Sequence, residues 1–204
     1  MLPEHTLDVN ELTGFADAAM YKAKEAGRGG FSLYSASAQE VQYLSEHTHW
    51  AGRIRRALET DQFVLFYQPL LNLGSGEVGE YEALLRMEDQ NGEFISPGLF
   101  LASAERFDLS IAIDRMVIKK AAYKIATLKT RKKKLKLSLN LSTQSLNDSS
   151  MLEYIRNTIR EVDIAPGNLS IEISETVILQ NMERVCNLSA EMTKLGCRLN
   201  SRRH

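Results

Sequence analysis

The stretch Leu135-Lys136-Leu137-Ser138-Leu139-Asn140-Leu141-Ser142 decides the fold of this chain, because leucine alternates in it with a polar residue. A period of two predicts a β-strand whose successive side chains point to opposite faces. The four leucines therefore share one face and the polar residues share the other. Asn140 lies on the polar face, near the carboxyl end of the predicted strand.

Two other stretches have the same alternation. Residues 169–175 place Glu172 on the face opposite three aliphatic residues, and residues 78–86 place Glu82 on the face opposite an alanine and a leucine. If the aliphatic faces pack against helices, then Glu82, Asn140 and Glu172 point to one inner surface near the carboxyl ends of their strands. Parallel barrels build their active sites at those ends.

Strand patterns alternate with helical patterns along most of the chain. Such alternation predicts an α/β fold with a parallel sheet or a barrel. The predicted elements around the three strands are a hairpin formed by residues 63–73 and 78–86, a helix from Ser96-Pro97 to Glu105, a helix with an apolar stripe over 118–128, a helix opened by a capping box at Ser150 and Glu153, and a helix over 177–195.

Composition excludes several classes of protein. Hydrophobic residues make up 44% of the 204 residues, which argues against wholesale disorder. The formal net charge is −1, so no overall field attracts a nucleic acid polymer or an anionic membrane. Two cysteines are too few for a disulfide scaffold, and no apolar stretch approaches the ~20 residues of a transmembrane helix. We expect a cytoplasmic location and no membrane segment in this chain.

The inward-facing polar residues suit a hard cation. Two carboxylates and an amide oxygen are ligands for Mg²⁺, Mn²⁺ or Ca²⁺ and not for zinc. Arg86, four residues after Glu82, is placed to bind a phosphate through two parallel hydrogen bonds. A simpler alternative stays open, in which Glu82 and Arg86 pair with each other and Asn140 caps a loop.

The sequence resembles the EAL domains, which are bacterial cyclic di-GMP phosphodiesterases. The signature stretch is Tyr81-Glu82-Ala83-Leu84-Leu85-Arg86, and further motifs follow in the family's order from about residue 50 to residue 199. Those motifs are Tyr67-Gln68-Pro69, Ile95-Ser96-Pro97, Ala104-Glu105, Asn140-Leu141-Ser142, Glu172-Ile173-Ser174-Glu175 and Leu195-Gly196-Cys197-Arg198-Leu199.

This resemblance implies a metal-dependent hydrolase that converts cyclic di-GMP to linear pGpG, with a possible homodimer formed through the EAL domain. It assigns roles to six residues of the polar face and its loops. They are Glu82, Asn140 and Glu172 as ligands of Mg²⁺ or Mn²⁺, Glu82 and Glu175 as catalytic residues, and Arg86 and Gln68 as substrate-binding residues.

Residues 16–28 resemble the C-terminal end of a GGDEF diguanylate cyclase domain. In that family Lys24 and Arg28 approach the triphosphate of GTP, but the strands and the turn that carry cyclase chemistry are missing here. We therefore expect no cyclase activity. The two resemblances divide the chain into a GGDEF remnant over 1–35, a linker over 36–49 and a truncated EAL domain over 50–204.

The chain departs from the EAL pattern at its end. The family continues beyond Leu199 with Asp-Asp-Phe-Gly and later catalytic groups, whereas Asn200-Ser201-Arg202-Arg203-His204 follows here and looks unlike a strand continuation. A (β/α)8 barrel of the TIM type takes ~250 residues, so the resemblance predicts an incomplete barrel, about the first half.

We expect little or no hydrolysis by this chain alone. The parent protein is expected to be active, with possible membrane attachment through a missing N-terminal region. An alternative is a degenerate EAL module that binds nucleotide or a protein partner without catalysis.

Overall fold

The computed structural model describes Met20, residues 38–130 and residues 135–202. The predicted GGDEF remnant, including Lys24 and Arg28, lies outside the described residues except for Met20. Residues 203 and 204 also lie outside them.

Seven helices and six strands make up the described part of the chain, with short 3₁₀ turns at Pro97–Leu99 and Pro166–Asn168. Strands alternate with pairs of helices from residue 94 onward. In chain order the elements are α1 (Ala38–Glu59), β1 (Phe63–Leu71), β2 (Val78–Glu88), β3 (Phe94–Ile95), α2 (Leu101–Arg106), α3 (Ser110–Thr130), β4 (Leu137–Asn140), α4 (Thr143–Asn147), α5 (Met151–Glu161), β5 (Leu169–Ser174), α6 (Glu175–Gln180), α7 (Met182–Lys194) and β6 (Arg198–Arg202).

The strands form one sheet in the order β1-β2-β4-β5-β6, and β3 pairs with β2. β1 runs antiparallel to β2, while β2, β4, β5 and β6 run parallel to one another. Because parallel neighbours need a crossover connection, helices occupy the segments between β4, β5 and β6. The predicted α/β fold with a mostly parallel sheet is confirmed.

The apolar face of the sheet forms the core of the molecule. Leu137, Leu139 and Ile171 are at most 1% exposed, and they share one buried cluster with Ile118 of α3 and Ile155 of α5. Burying aliphatic side chains is the dominant favourable term in folding, so this face directs the strands toward the helices. The opposite face of β2, β4, β5 and β6 consequently carries the polar residues.

The predicted hairpin forms between β1 and β2. Asn72 Oδ1 accepts hydrogen bonds from the backbone N–H groups of Gly74 and Ser75 in the turn. Gly76 has a φ of 71°, which favours glycine because it has no Cβ. This turn sets the register that places Gln68 directly opposite Glu82.

The predicted capping box at Ser150 is wrong. Ser150 precedes α5, but its side chain accepts no capping hydrogen bond, and its φ and ψ of −89° and −9° are helical. The Ser150 hydroxyl instead donates to Asp148 Oδ1 at 2.6 Å, and Glu153 forms an ion pair with Arg156. Asp148 is the better local acceptor, because its carboxylate also receives the backbone N–H of Ser150 at 2.9 Å.

The single helix predicted over residues 177–195 is two helices, α6 and α7. They meet at Asn181, whose φ of −135° and ψ of 34° are not helical. The Asn181 side chain donates to the carbonyl oxygen of Val177 at 3.0 Å. Asparagine side chains compete in this way with backbone hydrogen bonding, and the apolar periodicity of the segment does not register that competition.

A strand begins near Cys197 as the sequence predicts, but it continues beyond Leu199, contrary to the expectation for residues 200–202. β6 extends to Arg202, and in its register with β5 Asn200 lies beside Glu172 and Arg202 beside Ser174. Backbone pairing with β5 thus orders residues whose side chains alone do not favour a strand. Arg198, Asn200 and Arg202 share one face of β6 by the strand period of two.

The segment that was predicted as a linker continues as helix through residue 49, since α1 spans Ala38–Glu59. His47 of this helix lies against α2, with its Nδ1 atom 2.7 Å from the hydroxyl oxygen of Ser103. Burial lowers the pKa of His47. Across the residues that the structure describes, no helix combines the length and the apolar character that crossing a membrane requires.

Candidate functional site

The polar face of the parallel strands carries the residues that the sequence singles out. Alignment across the sheet follows the strand register: Glu82 lies beside Ser138 of β4, and Asn140 lies beside Glu172 of β5. Glu82, Asn140 and Glu172 therefore occupy adjacent strands on one face, as the alternation predicts. Burial of the opposite, aliphatic face fixes this orientation.

Glu82 and Asn140 are in direct contact. The Asn140 side-chain amide donates to Glu82 Oε1 at 2.8 Å. Glu82 is only 9% exposed, whereas Asn140 at the carboxyl end of β4 is open to solvent. A buried carboxylate next to an accessible amide places two oxygen donors at the mouth of this face.

Glu172 completes the set that the sequence predicts. It is half-buried on β5, and its Cα is the register partner of Asn140 on one side and of Asn200 on the other. Its carboxylate has no ion-pair partner among the described residues. Of Glu80, Glu82 and Glu172, it is thus the one that has no ion pair within those residues.

Arg202, which no sequence pattern assigned to the site, contacts both Glu82 and Asn140. Its Nη1 atom donates to Glu82 Oε1 at 2.6 Å and to Asn140 Oδ1 at 2.9 Å. Glu82 and Arg202 therefore form an ion pair whose partners are 120 positions apart in the chain. The simpler alternative required an ion pair between Glu82 and Arg86. The structure pairs Glu82 with Arg202 instead.

A second acid–base cluster lies on the same face toward the amino ends of the strands. The hydroxyl of Ser170 donates to Glu80 Oε1 at 2.6 Å, and Arg198 Nη2 lies 3.0 Å from Glu80 Oε2. Arg198 and Arg202 stand two residues apart on β6, so each neutralises one glutamate of β2. This repeated pairing links β6 to β2 across the polar face of β4 and β5.

Arg86 lies four residues after Glu82 on β2, and Gln68 is the register partner of Glu82 on β1. Arg86 shares the Glu82 face of β2, where its Nη1 donates to the carbonyl oxygen of Leu85 at 2.7 Å. Its guanidinium lies 5.5 Å from the ring centre of Phe66, which is 41% exposed. Gln68 is exposed opposite Glu82 on β1. Neither side chain forms a hydrogen bond or an ion pair with Glu82 that the structure records among the described residues.

Glu175 stands apart from the ligand set. It is the first residue of α6, exposed, and it follows Glu172 by three positions around the end of β5. Ser174 caps this helix by accepting the backbone N–H of Val177 at 3.4 Å. The turn between strand and helix thus places Glu175 at an exposed position just beyond the carboxyl end of β5.

A buried carboxylate that sequence reasoning missed supports the Asn140 loop. Asp114 of α3 is 9% exposed, and its Oδ2 accepts the backbone N–H of Ser142 at 2.9 Å. Burial raises the pKa of Asp114, and the hydrogen bonds from Ser142 act against that rise. Ser142 also caps α4 by accepting the backbone N–H of Ser145 at 3.2 Å. Asp114 therefore fixes the backbone two residues beyond Asn140.

Replacement of Asp114 by alanine is expected to destabilise the protein by ~1–3 kcal/mol, because the partly buried N–H of Ser142 loses its acceptor. Asp114→Asn keeps an acceptor oxygen and should cost less. Because the pKa of Asp114 is raised, the native state retains a proton at pH values where the unfolded chain has lost it. The stability that this group contributes therefore falls as pH rises from the ordinary carboxyl range through the raised value.

Urea denaturation of both variants at a series of pH values measures these effects. Asp114→Asn should flatten the pH dependence of the free energy of unfolding across that interval. An unchanged slope in Asp114→Asn, or an Asp114→Ala variant as stable as the parent chain, would contradict this account of Asp114.

The donor chemistry of the polar face fits a divalent cation. Glu82, Asn140 and Glu172 supply the carboxylate and amide oxygens that Mg²⁺ and Mn²⁺ prefer. A cationic guanidinium already contacts Glu82 Oε1 and Asn140 Oδ1, so these oxygens attract positive charge. Within the described residues, no group of three or more histidine, cysteine, aspartate or glutamate side chains has the arrangement of a metal site, so any cation here depends on the asparagine.

Comparison with known proteins gives one family and a consistent set of relatives. The EAL domain family model matches residues 51–200. The chain is 34% identical over 191 residues to the cyclic di-GMP phosphodiesterase PdeB of Shewanella oneidensis, covering 93% of this chain and 22% of that protein. It is 29% identical over 197 residues to the cyclic di-GMP phosphodiesterase PdeR of Escherichia coli, covering 97% of this chain and 29% of that protein.

Solved EAL structures share the fold. The EAL domain of FimX from Pseudomonas aeruginosa, bound to c-di-GMP, superposes with a TM-score of 0.69 at 28% identity, covering 74% of this chain and 61% of that one. The phosphodiesterase PaMucR in its c-di-GMP complex gives a TM-score of 0.70 at 25% identity, covering 74% and 62%. The chain spans about a quarter of the length of the two curated relatives.

Proposed function

Because the chain belongs to the EAL domain family, we propose that it forms part of a cyclic di-GMP phosphodiesterase that hydrolyses cyclic di-GMP to pGpG in bacterial signalling. The observation that carries this proposal is the convergence of Glu82 and Asn140, 2.8 Å apart, with Glu172 on the next strand. Carboxyl ends of parallel strands are where this class of fold builds active sites. The alternative of a degenerate, non-catalytic module has no specific observation in its favour.

Glu82, Asn140 and Glu172 would hold Mg²⁺ or Mn²⁺. Such an ion, when bound, polarises the phosphodiester and lowers the pKa of a water molecule. The three residues supply carboxylate and amide oxygens, and Asp114 holds the loop that follows Asn140 in place. The site needs Asn140 to present its amide oxygen toward the ion, which is the atom that now accepts from Arg202.

Arg86 would bind a phosphate of the substrate, and Gln68 would border the ligand. Arg86 is half-buried, and the hydrogen bond to Leu85 engages its Nη1 atom. Phosphate is a stronger acceptor than a backbone carbonyl. The guanidinium and the phosphate are both charged, and charge on the donor and the acceptor shortens and strengthens a hydrogen bond. Exposed Phe66 beside Arg86 offers an apolar surface at the same rim. Glu175, at the start of α6, would act in catalysis from the loop side.

The parallel sheet would form about the first half of an EAL barrel of the (β/α)8 type. Support comes from the four parallel strands with helices between β4, β5 and β6, and from coverage of 61% of the FimX EAL chain. Residues 50–204 would constitute this part, after a linker over 36–49 and a GGDEF remnant over 1–35. The same proposal includes a cytoplasmic location and a homodimer formed through the EAL domain. It also includes attachment of the parent protein to the membrane through a further segment.

Binding of cyclic di-GMP tests this function. Titration of the purified chain with cyclic di-GMP in the presence of Mn²⁺, followed by calorimetry, should detect binding that falls about tenfold or more in Arg86→Ala, since a bidentate phosphate contact is lost. Glu77→Gln, an exposed position in the β1–β2 turn, is the matched control and should bind like the parent chain. Formation of pGpG is followed by chromatography in the same samples.

Two binding results would count against the proposal. One is the absence of cyclic di-GMP binding by a chain that is folded by circular dichroism. The other is binding that Arg86→Ala leaves unchanged, because the ligand would then occupy a different surface. Release of a mononucleotide in place of pGpG would contradict the assigned reaction.

A further inference from the structure

We propose that Arg202 is a built-in counter-cation of the candidate metal site and competes with a divalent cation for Glu82 and Asn140. This inference rests on the proposed metal-binding function and adds a regulatory element to it. The observation behind it is that one nitrogen, Arg202 Nη1, contacts Glu82 Oε1 at 2.6 Å and Asn140 Oδ1 at 2.9 Å. These are oxygens of two of the three residues that a cation would need.

The guanidinium and a divalent cation exclude each other for two reasons. Both require the same lone pairs, and Mg²⁺ or Mn²⁺ binds carboxylate oxygens directly at a short distance. Two positive charges held within about 4 Å of each other also repel, and the repulsion is stronger where the surroundings are partly desolvated. Glu82 provides such surroundings, because its side chain is 11% exposed.

Arg202 is able to leave the site, whereas Glu82 is not. The Arg202 side chain is 34% exposed on β6, one of the two edge strands that the described residues form, so its head group has a path to water. Arginine has a long flexible stem and remains protonated in either position. The site thus has two alternative occupants, the guanidinium and a divalent cation, and release of the first is a condition for binding of the second.

The neighbouring arginine shows what distinguishes this pair. Arg198 lies two residues earlier on the same strand and pairs with Glu80 at 3.0 Å. Glu80 lies two residues before Glu82 on the same face of β2, and it contacts Ser170 and not Asn140. Removal of Arg198 therefore changes the charge of the same face by the same amount without freeing a proposed ligand.

Titration with Mn²⁺ alone, followed by loss of the free-ion signal in electron paramagnetic resonance, tests the competition on the full chain. We expect Arg202→Ala and Arg202→Gln to bind Mn²⁺ about tenfold more tightly than the parent chain, or more. Arg202→Gln keeps much of the length of the side chain and guards against loss of β6 in the alanine variant. Arg198→Ala should change the affinity by much less, and adding Glu82→Gln to Arg202→Ala should remove the gain.

The remaining outcomes separate this inference from the proposed function. If the Arg202 and Arg198 variants bind Mn²⁺ as well as the parent chain and Glu82→Gln abolishes binding, the metal site stands and competition by Arg202 is wrong. An equal gain in Arg198→Ala and Arg202→Ala would reduce the effect to overall charge and would also overturn the competition. If no variant binds Mn²⁺ in a Glu82-dependent way, both the metal site and the competition fail.

Discussion

Loss of the Glu82 carboxylate is expected to abolish binding of Mn²⁺ at the polar face of this protein. Glu82 is the most buried of the three predicted ligands and contacts Asn140 directly. Removing a charged ligand from a set of three leaves too few anionic oxygens to hold a divalent cation. Any pGpG formation by the chain should therefore fall by a factor of about 10² or more, in the range typical of lost transition-state charge stabilisation.

Two variants separate this chemical role from a structural one. Glu82→Gln retains an oxygen that accepts from Asn140 and Arg202, whereas Glu82→Ala leaves both without that acceptor. We therefore expect both variants to lose Mn²⁺ binding, and only Glu82→Ala to lose ~1–3 kcal/mol of stability as well. Calorimetry with Mn²⁺ and thermal unfolding provide the two measurements. Retained Mn²⁺ binding in Glu82→Gln would remove Glu82 from the ligand set.

Truncation of Leu139 to alanine is expected to have the second large effect, on folding. Leu139 is 1% exposed in the middle of the sheet and belongs to the main core cluster. Leucine-to-alanine substitutions at such positions cost ~2–5 kcal/mol, from lost burial and from the cavity that remains. Since small domains have only 5–15 kcal/mol of stability, about a third of the total is at stake.

Leu73→Ala is the matched control, because Leu73 in the β1–β2 turn is 92% exposed. It should change the free energy of unfolding by less than about 0.5 kcal/mol. Urea denaturation of both variants measures the difference. Equal stability of the two variants would mean that the aliphatic face of β4 is not the core of the protein.

The strand alternation determined both the core and the face of the site. Leu139 and Ile171 are buried and Asn140 and Glu172 lie on the opposite face because successive side chains of a strand alternate sides. Only one of the two faces is aliphatic along its whole length, so the sequence alone specifies which residues face the helices. The hairpin of β1 and β2 was predictable for the same local reason, since its glycine-containing turn lies between two apolar strands.

Capping and helix length depended on competition between local hydrogen bonds. Ser150 and Glu153 have the spacing of a capping box, yet Asp148 takes the hydroxyl and the N–H of Ser150. Asn181 interrupts the helical run by bonding to Val177. A periodicity argument counts apolar positions and does not weigh which of several nearby acceptors is the strongest, so these two predictions were wrong.

The tertiary structure alone decided which charges meet in the site. Arg202 reaches Glu82 across 120 positions and Asp114 reaches Ser142 across 28, so no local spacing indicates either contact. Both depend on strand order and register, which bring β6 beside β5 and place the end of β4 against α3. The sequence by itself determined which face of the strands carries the oxygen ligands, through the strand period of two. The Arg202 guanidinium that pairs with Glu82 on this face was decided by long-range packing, because electrostatic pairing depends on distance in space and not along the chain.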